Sequence, residues 1–343
     1  MYDKLQKAEP VVAQALIRES TARLEPVLRA MKATSPPLLE GYRVKILDGK
    51  HLDGTEHRIE ETRRVHSAPL PGHLLVAFDP ELSLAIDAFP CEDAYTQERA
   101  LLPQVLQTVA AEDLWIADRN FCTTGFFFGL AQRKAFFLIR QHGSTLSSKR
   151  LKGRKGRLGR CETGVVYRQS LEMDDADAES TMCLRRITIQ LEEPTRDGDT
   201  EIHLLSNLPA DVDGVQLAAL YLHRWKIENL FGELRQAFDA EIQTLCYPKA
   251  ALLAFCVGLL SYNVISVIKA SLHAVHGERA TIERLSTYYL AEEIGAAYWG
   301  MMIAIPQGTW RRAFADLSAR QMAAILKQLA ANTRVEQFLK HQR

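Results

Sequence analysis

The chain has 343 residues, with 42 Lys and Arg against 42 Asp and Glu, and is formally neutral. Neutrality excludes a uniformly basic surface, so any contact with nucleic acid must rest on local patches. A hydrophobic share of 47% supports a sizeable core in one large domain or two smaller ones. The six cysteines (91, 122, 161, 183, 246 and 256) include no Cys-x-x-Cys pair. They read as reduced thiols of a cytosolic protein, not a disulfide framework or a zinc site.

The N-terminus lacks the basic and apolar regions of a signal peptide. Residues 1–34 read as helical, with Val12, Leu16, Leu24, Leu28 and Met31 recurring on one side and Ser35-Pro36-Pro37 as the stop. A strand-rich block follows. It comprises Tyr42 to Leu47, a charged strand from Glu56 to Val65, and an antiparallel hairpin of His73 to Phe78 and Leu82 to Ala88 around Asp79-Pro80-Glu81. A helix is predicted from Asp93, its cap, to Ala110. Leu114 to Ala117 is almost wholly apolar, as expected of a strand in the middle of a sheet covered on both faces. A short helix and a strand from Ala135 to Ile139 come next.

The character changes between Gln141 and Thr200. Seven cations fall in the twelve residues 149–160, with glycines between them, and an acidic stretch runs from Glu172 to Glu179. With β-like runs at Gly164 to Tyr167 and Leu184 to Leu191, the segment reads as a β-rich insertion with exposed loops. Lys149, Arg150, Lys152, Arg154 and Lys155 are candidates for a loop that tracks a phosphate backbone; the alternative is a solvated loop balanced by the acids after it.

Ile202 to Ser206 is a further strand, and Asp213 is expected to cap a long helix. That helix carries Tyr221, Arg224, Glu228 and Arg235 at spacings that confine them to an arc of about 60° on a continuous α-helix. A phenol, a carboxylate and two guanidinium groups on one edge suit phosphodiester chemistry: the carboxylate can hold a divalent cation and the guanidiniums can clamp phosphates. Leu220, Ile227, Phe231, Leu234 and Phe238 form a neighbouring stripe that can bury on the sheet. Trp225 beside it is expected to pack. Ala250 to Ile268 is interrupted by Ser261, Asn263 and Ser266 and reads as a core helix, not a membrane span. The rest is helical, with an apolar stripe at Met322, Ile325, Leu326 and Leu329.

Two further acids join Glu228 as candidates. Asp48 follows the strand Val44 to Leu47, and Asp118 follows Leu114 to Ala117. Rigid strand ends suit a metal site that must stay accessible, and two Asp with one Glu can hold two Mg²⁺ about 4 Å apart. Taken singly, a strand-end Asp is more often a turn residue capping local backbone, and Asp53-Gly54 competes with Asp48.

At these residues the chain resembles the IS-four family of bacterial DDE transposases. Its signature, Tyr-x2-Arg-x3-Glu-x6-Lys, reads here as Tyr221, Arg224, Glu228 and Arg235, with Arg in the Lys position. Leu205-Ser-Asn-Leu-Pro209, Ile46-Leu-Asp48-Gly-Lys and Ile116-Ala-Asp118-Arg-Asn-Phe121 are similar too, and the likeness spans roughly residues 40 to 265 in consistent order. It implies an α/β, ribonuclease H-like fold: a mixed five-stranded sheet flanked by helices, with a β-rich insertion and a helical C-terminal region. Residues 1–40 would be a short helical region, 41–140 and 201–270 the two parts of the core, 141–200 the insertion and 271–343 the C-terminal region.

The resemblance also implies a cytoplasmic bacterial enzyme that cuts double-stranded DNA at transposon terminal inverted repeats and joins the 3′-OH to target DNA. Asp48, Asp118 and Glu228 would hold two Mg²⁺ (Mn²⁺ substituting), Tyr221, Arg224 and Arg235 would contact the DNA end, and a homodimer would form on DNA, with no membrane partner. Two alternatives stay open: an endonuclease of this fold without strand transfer, and a catalytically dead DNA-binding relic.

Overall fold

The computed structural model describes residues 2–5, 7–52, 72–93, 96–142, 149–175, 180–241, 247–277 and 284–340. The strand expected at Glu56 to Val65, the Asp53-Gly54 pair and Cys246 lie outside the described residues.

Among the described residues nine strands form one sheet: β1 (Arg43–His51), β2 (His73–Asp79), β3 (Leu84–Cys91), β4 (Asp113–Ala117), β5 (Phe136–Arg140), β6 (Lys149–Cys161), β7 (Gly164–Asp174), β8 (Thr181–Leu191) and β9 (Glu201–Ser206). Their order is β3-β2-β1-β4-β5-β9-β8-β7-β6. The β1–β4 and β4–β5 pairs are parallel and the others antiparallel. This is the mixed α/β, ribonuclease H-like architecture. The expected five strands are β3-β2-β1-β4-β5, but the sheet does not stop there. Strands β9 to β6 continue it because β9 adds antiparallel to β5 through Leu138↔Ser206 and Ile139↔Leu205.

The helices are α1 (Tyr2–Leu5), α2 (Pro10–Met31), α3 (Leu102–Leu106), α4 (Thr124–Gln132), α5 (Gly214–Leu222), α6 (Trp225–Phe238), α7 (Pro248–His276), α8 (Thr287–Ala304), α9 (Gln307–Phe314) and α10 (Ala319–Ala331). Strand alternation sorts the core into two halves. Val44, Ile46, Leu114, Ile116 and Leu138 face a layer that includes Ile17, Leu217, Ile227, Leu234 and Phe255. Leu47, Trp115, Ala117, Phe137 and Ile139 face Leu102, Val105, Phe126, Phe127 and Leu130 on α3 and α4. The middle strand β4 is buried at every position, as its unbroken apolar run requires. Helix α7 is long and apolar enough to cross a membrane, yet it packs against α2, α6, β3 and α10 and buries Ala250, Leu252, Phe255 and Leu259.

Four local expectations are corrected. The helix expected from Asp93 to Ala110 is only a 3₁₀ turn, Glu98–Leu101, running into the five-residue α3. Pro103 sits in the first turn of α3, where its missing N–H costs nothing. Helix α2 buries Leu28 and Met31 as expected, but its first half turns Ala13 and Ile17 inward and leaves Val12 half exposed, so the buried face there is rotated from the one read off the sequence. Trp225 is 53% exposed and does not pack. Finally, α10 packs through Met322, Ala323 and Leu326 while Leu329 faces outward.

Candidate functional site

The geometry begins with strand register. In the parallel pair β1–β4 the last partners are Leu47 and Ala117. Asp48 and Asp118 are each the next residue, so they stand side by side where the pairing stops, with neighbouring backbones about 4.8 Å apart. Alternation carries both to the face of Val44, Ile46, Leu114 and Ile116, the face on which α6 lies. Asp48 does not end its strand, contrary to the sequence reading. β1 runs on to His51 because its antiparallel partner β2 continues to His73.

Both acids also perform the local service expected of turn residues. Asp48 Oδ1 accepts from the Gly49 N–H at 2.9 Å, and Asp118 Oδ1 from the Arg119 N–H at 2.6 Å. Asp48 is nevertheless electrostatically unusual. Burial pushes its carboxyl up to about 7; Arg224 and the Gly49 N–H oppose that rise, and the charges of Asp118 and Glu98 add to it.

The helix carrying the remaining candidates is broken. His223 and Arg224 donate their backbone N–H groups to Leu220 and Tyr221 at 3.0 Å, three residues back, and this tight turn separates α5 from α6. The two halves serve different surfaces. α5 packs on β6, β7 and β8, whereas α6 packs on β1, α7 and α8. The single 60° edge expected of a continuous helix is therefore not present. The apolar stripe survives: Leu220, Ile227, Phe231 and Leu234 are buried and Phe238 is half-buried.

Arg224, at the start of α6, draws the acids together. Nη1 lies 3.3 Å from Asp48 Oδ2, and Nη2 donates to Glu228 Oε1 at 2.5 Å, one helical turn along. Burial works against its charge, but Tyr221, Asp48, Glu228 and Asp118 outweigh burial and hold its pKa above the ordinary value. Tyr221 is 6% exposed, and burial raises the pKa of its phenol. It backs the site from beneath and is not on an open edge. Arg235 is exposed two turns beyond Glu228.

The basic run is the edge strand β6, not a loop, because it pairs along its length with β7 around two irregularities. Lys152 pairs with Glu172 at 3.1 Å and Lys155 with Glu201 at 2.9 Å, while Arg160 pairs with Glu192. Arg154 and Arg157 are exposed. The backbones of Lys149 and Arg150 open the strand; their side chains lie outside what the structure describes.

A family model described as "Transposase DDE domain" matches residues 39–264, more than half of the chain, and the span includes Asp48, Asp118 and Glu228. The chain belongs to this DDE transposase family. Over 143 residues it is 32% identical to a Sinorhizobium fredii protein described as "Putative transposase y4zB". That stretch covers 39% of the chain and 36% of the relative, so the match spans little more than a third of the curated protein.

Domains of this family generally use divalent metal ions, and the donor set of this DDE domain fits one. Asp48 and Asp118 stand side by side past the last β1–β4 pair and offer hard carboxylate oxygens. Among the described residues no three His, Cys, Asp or Glu side chains are drawn close enough together to hold an ion. The guanidinium of Arg224 joins Asp48 to Glu228 instead. Glu98 and Asn120, which meet beside the two aspartates, were not among the candidate residues, although Asn120 lies inside the motif from Ile116 to Phe121. Glu98 sits in a stretch read as plain helix, with no spacing relation to either aspartate.

Proposed function

We propose that this chain is an IS-four-type DNA transposase that cuts double-stranded DNA at the inverted repeats of its element and joins the freed 3′-OH to target DNA. Asp48, Asp118 and Glu228 would hold two divalent ions, Mg²⁺ or Mn²⁺. When bound, such ions supply activation of the attacking water or hydroxyl and neutralisation of the leaving oxygen. The observation that carries the reading is the Leu47↔Ala117 register, which sets Asp48 beside Asp118 on the face crossed by α6.

The protein's own groups divide the remaining work. Asp48 and Asp118 are fixed by strand backbones and need little reorganisation to receive a cation. Glu228 is 54% exposed and adjusts more readily from α6. Arg224 pairs with both Asp48 and Glu228 and is placed to turn toward a phosphate of the DNA end. Exposed Arg235 and the exposed ring of Trp225 flank Glu228 on α6 and would contact the backbone and a base. Tyr221 would support Arg224 from the buried side. Lys149, Arg150, Lys152, Arg154 and Lys155 on β6 would follow the DNA further out, and a homodimer would bring two ends together.

The test uses DNA carrying the element's own terminal repeats. Glu228→Gln and Asp118→Asn are each expected to abolish Mg²⁺-dependent cleavage while DNA binding persists. Pre-cleaved ends incubated with wild-type protein and target DNA should give joined product. Cleavage without joining would identify an endonuclease; binding with neither would identify a relic.

A further inference from the structure

Glu98 belongs to none of the sequence motifs, yet it touches both arms of the candidate site. It opens the 3₁₀ turn Glu98–Leu101, whose Leu101 is buried in the core half beneath α3 and α4. It thus reaches β1 and the turn after β4 from the face opposite α6. Its side chain is 17% exposed. One oxygen, Oε2, accepts from Asn120 Nδ2 at 2.5 Å. Asn120 is two residues past Asp118, in the 3₁₀ turn Arg119–Phe121 that Asp118 caps. The other oxygen lies against the backbone of Gly49, next to Asp48. A Cβ placed on Gly49 would stand 2.0 Å from Glu98 Oε1, so only glycine admits the carboxylate there. His51 Nε2 is 3.9 Å from the same oxygen.

We infer that Glu98 is a positioning residue that clamps the Asp48-Gly49 segment of β1 to the Asp118–Asn120 turn, setting the spacing of the two aspartates for a divalent cation. It acts through Gly49 and Asn120 and is not itself a ligand. The inference rests on the reading of Asp48 and Asp118 as cation ligands.

The experiment measures Mn²⁺ binding to the full-length chain by calorimetry, without DNA, alongside unfolding in urea without metal. Glu98→Ala removes the clamp and should weaken Mn²⁺ binding about tenfold or more. Glu98→Gln keeps an acceptor for Asn120 and the packing on Gly49, and should recover most of that loss. Asn120→Ala breaks the clamp from the other side and should reproduce the Glu98→Ala defect, with the double variant no worse than either single one. It also keeps the question answerable if Glu98→Ala does not fold. Wild-type Mn²⁺ affinity in Glu98→Ala or Asn120→Ala would overturn the inference, as would a Gln variant as impaired as Ala. Asp48→Asn and Asp118→Asn are the separate control. Unchanged Mn²⁺ binding in these two would remove the ligand reading itself, whatever Glu98 does.

Discussion

Arg224 Nη1 stands 3.3 Å from Asp48 Oδ2, an ion pair that spans 176 residues of sequence and fastens the start of α6 to β1 just past the end of its pairing with β4. Both side chains are about four-fifths covered, so the pair is screened only partly by solvent.

Replacing Arg224 with Gln should therefore destabilise the metal-free protein, by about 1–3 kcal/mol. The lower part of that range is expected because Asp48 can take up a proton once its cation is gone. Mn²⁺ should restore part of the loss by supplying the missing charge. Urea unfolding of both proteins with and without Mn²⁺ checks this, and equal metal-free midpoints would refute a stabilising role.

Gly258 lies inside α7, and a Cβ there would meet Ala240 Cβ at 2.5 Å. Alanine favours a helix over glycine by about 0.8–1 kcal/mol, but forcing α7 from its neighbour costs about 1–3 kcal/mol. Gly258→Ala should consequently lower stability. Gly295→Ala in α8, with nothing within 4 Å, should raise it by about 0.5–1 kcal/mol. Denaturation midpoints moving in the same direction would contradict the packing argument.

All four of Lys152, Arg154, Lys155 and Arg157 on β6 are exposed, but among the described residues Lys152 and Lys155 have carboxylate partners whereas Arg154 and Arg157 form no ion pair. Alanine at 154 and 157 should thus cost more DNA affinity than alanine at 152 and 155. For every DNA phosphate deprived of its cation, the salt dependence of log K should flatten by about 0.9. Titrations at several salt concentrations decide the matter, and a slope unchanged in both variants would take β6 out of the DNA interface.

His73 is fully buried, and neither ring nitrogen has a hydrogen-bond partner among the described residues. Burial lowers its pKa below the ordinary 6.5, His51 at 5.1 Å between ring centroids lowers it further, and Asp93 opposes both. As pH falls through 6.5, the unfolded chain binds a proton that the folded chain resists, so stability is lost on acidification and is complete above that value. His73→Leu should flatten this dependence on the acid side of 6.5. Parallel stability curves for the two proteins would sink the assignment.

Several of these features were legible in the chain and others were not, for identifiable reasons. The hairpin of β2 and β3, the buried strand β4, the helix α7 and the inward stripe of α6 all follow from local periodicity, which depends only on neighbours in sequence. The residue pattern around Asp48, Asp118 and Glu228 likewise pointed to the family to which the chain belongs. The break at His223 and Arg224 did not show, because it arises from two helix halves packing on different parts of the sheet. The edge strand β6 read as a loop because glycines and cations disfavour strands locally, while pairing to β7 supplies the missing hydrogen bonds.

By itself the sequence determined which acids are available, which residues seek the core and what class of chemistry the residue types permit. Only the tertiary structure decided that Asp48 and Asp118 are neighbours, that Arg224 joins Asp48 to Glu228, and that Glu98 reaches both β1 and the turn after β4 from the opposite face. The physical reason is that strand register and contacts between layers arise from pairings across long stretches of chain. Burial of whole faces selects those pairings, and no local pattern of residues carries them.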